Sequence, residues 1–236
     1  MPSEDNMYIF AIDTSTKISS LGVFYGREPV ITLYVDRGVV KGENLILLVD
    51  YLIGKAGITR QDLNGVVVGI GPGSFTGIRI ALSIAKAMAY ADNLLIKGVR
   101  TMDAIALELQ GISSLVSPLL SATSGKYFTA LYSVGDDLKC IEDVSLCNLD
   151  EWVQMLTQRY RDREIIFILD ERRVEDAPIL TSSSKLYGVI ESKMFPKVEM
   201  LVKLFYRYME KDDLDSPFTL LPMYYRPSAA EEKISK

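Results

Sequence analysis

The chain has 236 residues, 48% hydrophobic and 24% charged, enough for one large or two small globular domains. It contains no histidine, which excludes Ser-His-Asp and Cys-His nucleophilic machinery and the HExxH zinc site. The net charge of −5 is uneven: residues 1–100 carry ten Lys/Arg against nine Asp/Glu, residues 101–236 sixteen against twenty-two, so there is no basic stripe of the kind that grips nucleic-acid phosphates.

The opening "MPSEDNMYIF" is acidic and lacks the apolar run of a secretory leader. No segment approaches the roughly 18 apolar residues of a membrane span. A cytoplasmic protein without membrane contact is expected. "MYIFAID" (Met7–Asp13) reads as a buried strand running into the turn "DTST". Ser20–Gly26 and Val30–Asp36 follow as antiparallel partners split by "REP". "GENLILLVDYLIGKAG" is a helix that Asn44 can cap and Gly57 ends. "LNGVVVGIG" is a continuous β-branched run, as in a central strand covered on both faces. "SFTGIRIALSIAKAMAYAD" is a long helix, and "LLIKGV" a short strand. The order β-β-β-α-β-α-β is that of a ribonuclease-H-like domain.

The second part repeats the theme. Ser114–Ala122, Lys126–Val134 and Lys139–Cys147 read as three strands. The last holds Cys140 and Cys147, whose spacing is neither a disulfide framework nor a CxxC pair. "LDEWVQMLTQRY" is a helix, "EIIFILD" and "KLYGVI" are strands, and "VEMLVKLFYRYMEK" is a helix. Two such halves in tandem are the pattern of the actin-like ATPase superfamily, an α/β architecture. The expected domains are residues 1–101 and 102–236, with a C-terminal segment able to pack back on the first.

The stretch "GIGPGSFTGIRI" (Gly69–Ile80) has the composition of a phosphate loop. It fails Walker A for want of a Gly-Lys pair. It fails G-x-G-x-x-G because Ser74 or Thr76 stands at the third glycine, and G-x-S-x-G because of Pro72. Gly71 and Gly73 permit backbone angles that other residues resist, and Pro72 fixes its own φ. Ser74 or Thr76 can cap the helix that follows, whose free amides offer an anion site. A tight strand-to-helix turn and an anion-binding loop both remain open on these residues.

The two helices of the first half carry more apolar residues than one sheet needs. Ile78, Ala81, Leu82, Ala85 and Met88 form one stripe of the second helix; Ile80, Ile84, Ala87 and Ala91 form another. The first helix pairs Leu45, Leu48, Leu52 and Ala56 with Ile46, Val49 and Ile53. Either the fold buries both faces, or the extra stripes form a subunit interface.

"AIDTST", "GPGSFTGIR", "KGVRTMDAIA", "PMYYRP" and the acidic "AEE" tail occur in the order of the TsaB (YeaZ) family, which the chain resembles over its whole length. The resemblance implies an actin-like two-lobed fold and a non-catalytic subunit that pairs with TsaD. TsaD is the enzyme that installs threonylcarbamoyl on the adenosine beside the tRNA anticodon. It implies a homodimer when the chain is alone, a heterodimer with TsaD, and a TsaE ATPase docking on that pair. Contact with tRNA is then made mainly through the complex. It places Leu45, Leu48, Val49, Leu52, Ile80, Ile84 and Ala87 at the shared interface. Asp13 stands where actin-like ATPases place a metal-linked acid, with Ser15 in place of the glycine usual two positions on, and a strand-end turn role is the other reading; Asp13, Gly71, Gly73 and Ser74 are the candidates for nucleotide or anion binding. No catalytic residue, metal or cofactor is required, and ATP or ADP binding stays open. The alternatives are an autonomous actin-like ATPase and a glycoprotein endopeptidase, for which no catalytic residues are found. The chain reads "SATSGKYF" (Ser121–Phe128) where many members read "DARMGEVY", so the Asp and Arg are lost. It also reads "VVKGEN" where many carry a histidine before the first helix.

Overall fold

In the computed structural model, which describes residues 6–38, 44–112, 114–170, 187–192 and 194–225, the N-terminal segment forms three antiparallel strands. They are β1 (Tyr8–Asp13), β2 (Ile18–Tyr25) and β3 (Glu28–Asp36). Tyr8 stands opposite Tyr25, and Ile18 opposite Asp36. Helix α1 (Leu45–Lys55), strand β4 (Leu63–Gly69), helix α2 (Phe75–Asp92) and strand β5 (Leu95–Val99) follow. β4 lies parallel to β1 and β5 parallel to β4, giving the order β3-β2-β1-β4-β5. The Val66–Val68 run of β4 is fully buried, as a strand covered on both faces requires. Asn44 occupies the N-cap position of α1, but its side chain makes no capping hydrogen bond. The helix ends before Gly57, whose φ of +74° suits glycine.

A short helix, α3 (Thr101–Leu107), leads into the second half. There β6 (Leu115–Ser121), β7 (Tyr127–Ser133) and β8 (Lys139–Cys147) are antiparallel. Helix α4 (Leu149–Arg159) precedes β9 (Ile165–Asp170) and β10 (Tyr187–Ser192), which add in parallel. The order β8-β7-β6-β9-β10 repeats the first sheet, with antiparallel and parallel steps in the same places. Leu119, Leu131, Trp152, Leu156 and Phe167 form its core. Trp152 Nε1 donates to Ser117 Oγ at 2.9 Å, so the buried indole keeps its donor satisfied. The chain is thus two tandem ribonuclease-H-like folds of the actin-like ATPase type.

The compact units differ in extent from 1–101 and 102–236. The described residues of 1–104 together with those of 195–236 form one unit, and those of 105–194 the other. The reason is helix α5 (Val198–Glu210), which packs on β1, β2, β4 and β5 and buries Val198, Leu201, Val202, Leu204, Phe205 and Tyr206. Phe10, Ile12, Val66 and Val68 join the cluster containing α1 and α2. Strand alternation turns Ile9 and Gly65 to the opposite face, where a Cβ on Gly65 would lie 2.9 Å from Phe205 Cζ. Helices therefore cover both faces of the first sheet. None of the described helices is long and apolar enough to cross a membrane.

Candidate functional site

Asp13 ends β1 fully buried. Its Oδ1 accepts from Ser15 N and from Ser15 Oγ, each at 2.7 Å. Its Oδ2 is buried and has no hydrogen-bond partner among the described residues. A Cβ on Gly69 would overlap that oxygen, so the glycine at the end of β4 is what admits the carboxylate. Burial pushes the Asp13 carboxyl up to about 6, against the lowering effects of the Ser15 hydrogen bonds and the Arg37 charge.

The glycine-rich loop packs directly on the turn after Asp13. Ser74 N donates to Ser15 O at 2.6 Å, and Thr14 Oγ1 donates to Gly77 O at 2.6 Å. A Cβ on Gly73 would overlap the Ser15 carbonyl, and one on Gly77 the Thr14 carbonyl. Ser74 caps α2, its Oγ accepting from Gly77 N at 3.2 Å. Thr101 Oγ1 donates to Ser15 Oγ at 2.9 Å, and Thr101 N to Gly71 O at 2.8 Å. The structure therefore brings Gly73 and Ser74 against the Asp13–Ser15 turn. Two donors of the loop, Ser74 N and Gly77 N, are spent on the protein itself. The loop's glycines serve close backbone approach. Among the described residues, no three His, Cys, Asp or Glu side chains are grouped so as to hold a metal ion.

An open cavity of about 450 Å³ lies beside this turn, lined among others by Thr14, Lys17, Arg37, Thr76 and Gly77. Lys17 Nζ pairs with Asp36 at 2.9 Å, and Arg37 Nη1 donates to Thr14 O at 3.1 Å. Asp13, Gly71 and Gly73 do not line it; Ser74 does.

The second feature is the outward face of α1 and α2. A groove of about 490 Å³ between them is lined by Ile46, Phe75, Thr76, Arg79, Ile80, Ser83 and Ile84. Ile80 and Ile84 are half-buried, and Ala87 is exposed. On α2 the stripe Ile78, Ala81, Leu82, Ala85 and Met88 faces the core; of the other, the half-buried Ile80 and Ile84 pack against that core while lining the groove, and Ala87 and Ala91 are exposed. The expected interface residues of α1 need correction. Leu45, Val49 and Leu52 are buried in the core, and Leu48 is half-buried against it. The outward residues are Ile46, Leu47 and Tyr51, with Leu47 62% exposed. Leucine or isoleucine occupies nearly every position from 45 to 48, so periodicity alone does not choose the face.

Sequence reasoning also missed Lys17 and Arg37, and it expected a C-terminal segment to pack back on the first unit without identifying the exposed side chains after α5. That segment, residues 212–224, runs along α2 and exposes Phe218, Leu221 and Tyr224. Lys17 follows "DTST" directly, which is the one local signal that a cation flanks the turn. The "VVKGE" part of the stretch before α1 and the "AEE" tail lie outside the described residues.

Residues 42–167, just over half of the chain, match the family model "TsaD: tRNA N6-adenosine threonylcarbamoyltransferase". The chain is similar to the tRNA threonylcarbamoyladenosine biosynthesis protein TsaB of Bacillus subtilis, with 30% identity over 179 residues, 72% of this chain and 76% of that protein. It is also similar to TsaB of Escherichia coli, with 32% identity over 101 residues, 42% of this chain and 43% of that protein. The solved structure of YeaZ from Pseudomonas aeruginosa superposes with a TM-score of 0.76 at 17% identity, covering 92% of this chain and 99% of that one. At that identity the superposition speaks for the fold.

Proposed function

The chain belongs to the TsaB (YeaZ) family of tRNA threonylcarbamoyladenosine biosynthesis proteins, and from that premise we propose that it is a non-catalytic subunit that activates a TsaD-type transferase by pairing with it. The observation that carries this reading is the outward face of α1 and α2. Ile46, Leu47, Tyr51 and Tyr90 are exposed there, around a groove floored by Ile80 and Ile84. Exposed apolar side chains on the two helices that flank such a groove favour a partner that covers them. The stretch matching the TsaD model includes both helices. A TsaD-type subunit therefore offers a related helix pair, and two related faces can pack about a pseudo-two-fold axis. Alone, the chain uses the same face to pair with a second copy.

The internal chemistry supports a structural role. The Asp13 carboxylate is tied to Ser15 and closed in by Gly69. The loop that resembles a phosphate cradle is packed on the protein's own backbone. In this reading the transferase chemistry belongs to the TsaD-type subunit, a TsaE-type ATPase docks on the pair, and tRNA is held mainly by the rest of the complex. The net charge of −5 agrees with that division. The setting is the cytoplasm. Light scattering of the chain mixed with a TsaD-type subunit tests the pairing. A stable one-to-one species is the expected result; two species that elute and scatter separately would sink the reading.

A further inference from the structure

The segment after α5 is bound along β5 and α2. Lys97, 6% exposed, pairs with Asp213 at 3.1 Å and lies 3.7 Å from Asp215. Asp215 bridges Ile96, and its Oδ2 accepts from Gly98 N at 2.8 Å, which closes the edge of β5. Lys86 Nζ donates to Leu220 O at 3.0 Å, and Met223 N donates to Ile70 O at 2.8 Å. Leu220 is buried in the core and Met223 packs against it. These contacts suffice to hold the segment as a strap.

Phe218 is 73% exposed and Leu221 70%, with Tyr224 also exposed. They are not scattered. Phe218 meets Tyr90 of α2 edge-on at 5.5 Å between ring centroids, and Tyr224 stacks on Phe75 of α2 at 4.6 Å. Phe75 in turn lines the groove between α1 and α2, and the Arg79 guanidinium lies 5.1 Å from its ring centroid. The groove thus continues through Phe75 to Tyr224 of the strap, and Tyr90 near the far end of α2 carries Phe218.

We propose that the strap is a third element of the docking surface, and that a TsaD-type subunit seated on α1 and α2 also covers Phe218, Leu221 and Tyr224. This rests on the pairing reading above and extends it. The contacts through Phe75 and Tyr90 place the strap beside the same groove, and exposed aromatic and leucine side chains of this kind are the anchors of interfaces. The strap lies outside residues 42–167, so this part of the surface belongs to the chain's own architecture and falls beyond the stretch that matches the TsaD model.

The test measures binding of the full chain to a TsaD-type subunit by titration calorimetry. The Phe218→Ser/Leu221→Ser double variant and Leu221→Asp alone are compared with the parent. Leu221 is 70% exposed, so thermal unfolding of free Leu221→Asp should match the parent; the double variant also loses the Phe218–Tyr90 ring contact and should unfold slightly lower, which the same measurement reads. The expected result is affinity lower by about tenfold or more. Ile84→Glu is the control for the underlying reading. If Ile84→Glu abolishes binding while the strap variants bind like the parent, the strap proposal is overturned and the pairing stands. If Ile84→Glu and the strap variants all bind like the parent, the pairing reading falls and the proposal with it. If the strap variants weaken only self-association of the chain, the choice of a TsaD-type subunit as occupant is wrong.

Discussion

Asp13 sits fully buried, in an environment unlike that of an ordinary surface carboxyl. It titrates near 6 in the folded chain and near 3.8 when unfolded, because burial disfavours its charge more than Ser15 and Arg37 favour it. Between those values the folded state still holds a proton that the unfolded state has released. Its contribution to stability is therefore present below pH 3.8, falls as the pH rises to about 6, and stays lower above that. A difference of about two pH units corresponds to at most about 3 kcal/mol. Asp13→Asn removes the titration. Urea unfolding near pH 4 and near pH 7 should show a smaller difference between the two pH values in the variant than in the parent. An equal difference would mean that Asp13 titrates normally. The position of Asp13 at the end of a buried strand was legible from "AIDTST". Its isolation was not, because Gly69 and the glycine loop come to it across 56 residues or more. The same limit hid Lys17 and Arg37, whose place at a cavity wall is set by where the β1–β2 turn and the end of β3 meet α2.

At the scale of elements, the two helices of the first half separate what sequence periodicity can decide from what it cannot. In α2 the small and large apolar residues alternate with Arg79, Ser83 and Lys86, and both stripes could be read from their spacing. In α1 the run Leu45–Ile46–Leu47–Leu48 fits several faces equally. Packing against β2 and β3 selected Leu45, Val49 and Leu52 for the core. Helix α5 shows a third case. Its amphipathic pattern was plain, but its attachment to the first sheet was set by the exposed face of that sheet, with no local cue. Ile84→Glu follows from this assignment. It puts a charge on the groove floor, where the isoleucine is half-buried. It should dissociate the homodimer in light scattering and lower capture of a TsaD-type subunit by about a hundredfold, the loss typical of a strong interface position. Unchanged mass and capture would show that the partner sits elsewhere. A matching Leu52→Glu would unfold the chain instead, since Leu52 is 1% exposed in the core.

The whole molecule carries one design twice. Three antiparallel strands followed by two parallel additions give the sheet order β3-β2-β1-β4-β5 and its repeat β8-β7-β6-β9-β10. This tandem topology was readable because strand runs, turn residues and helices recur in the same order. The return of a C-terminal segment to the first unit was expected, but not that it takes in the whole of the last helix and the strap. In an actin-like frame, a loop such as "GIGPGSFTGIRI" would be expected to face a phosphate. Here it faces the backbone of Thr14 and Ser15 and launches a helix whose outer side, with α1 and the strap, is apolar. In the proposed function this surface makes the chain an activating partner of a TsaD-type transferase. The most direct test of that role is threonylcarbamoylation of tRNA by TsaD- and TsaE-type subunits supplied with threonylcarbamoyl-adenylate, with and without this chain. Modified adenosine should form only, or chiefly, when the chain is present, and be lost with Ile84→Glu; equal modification on omission would show that the chain is not an activating partner.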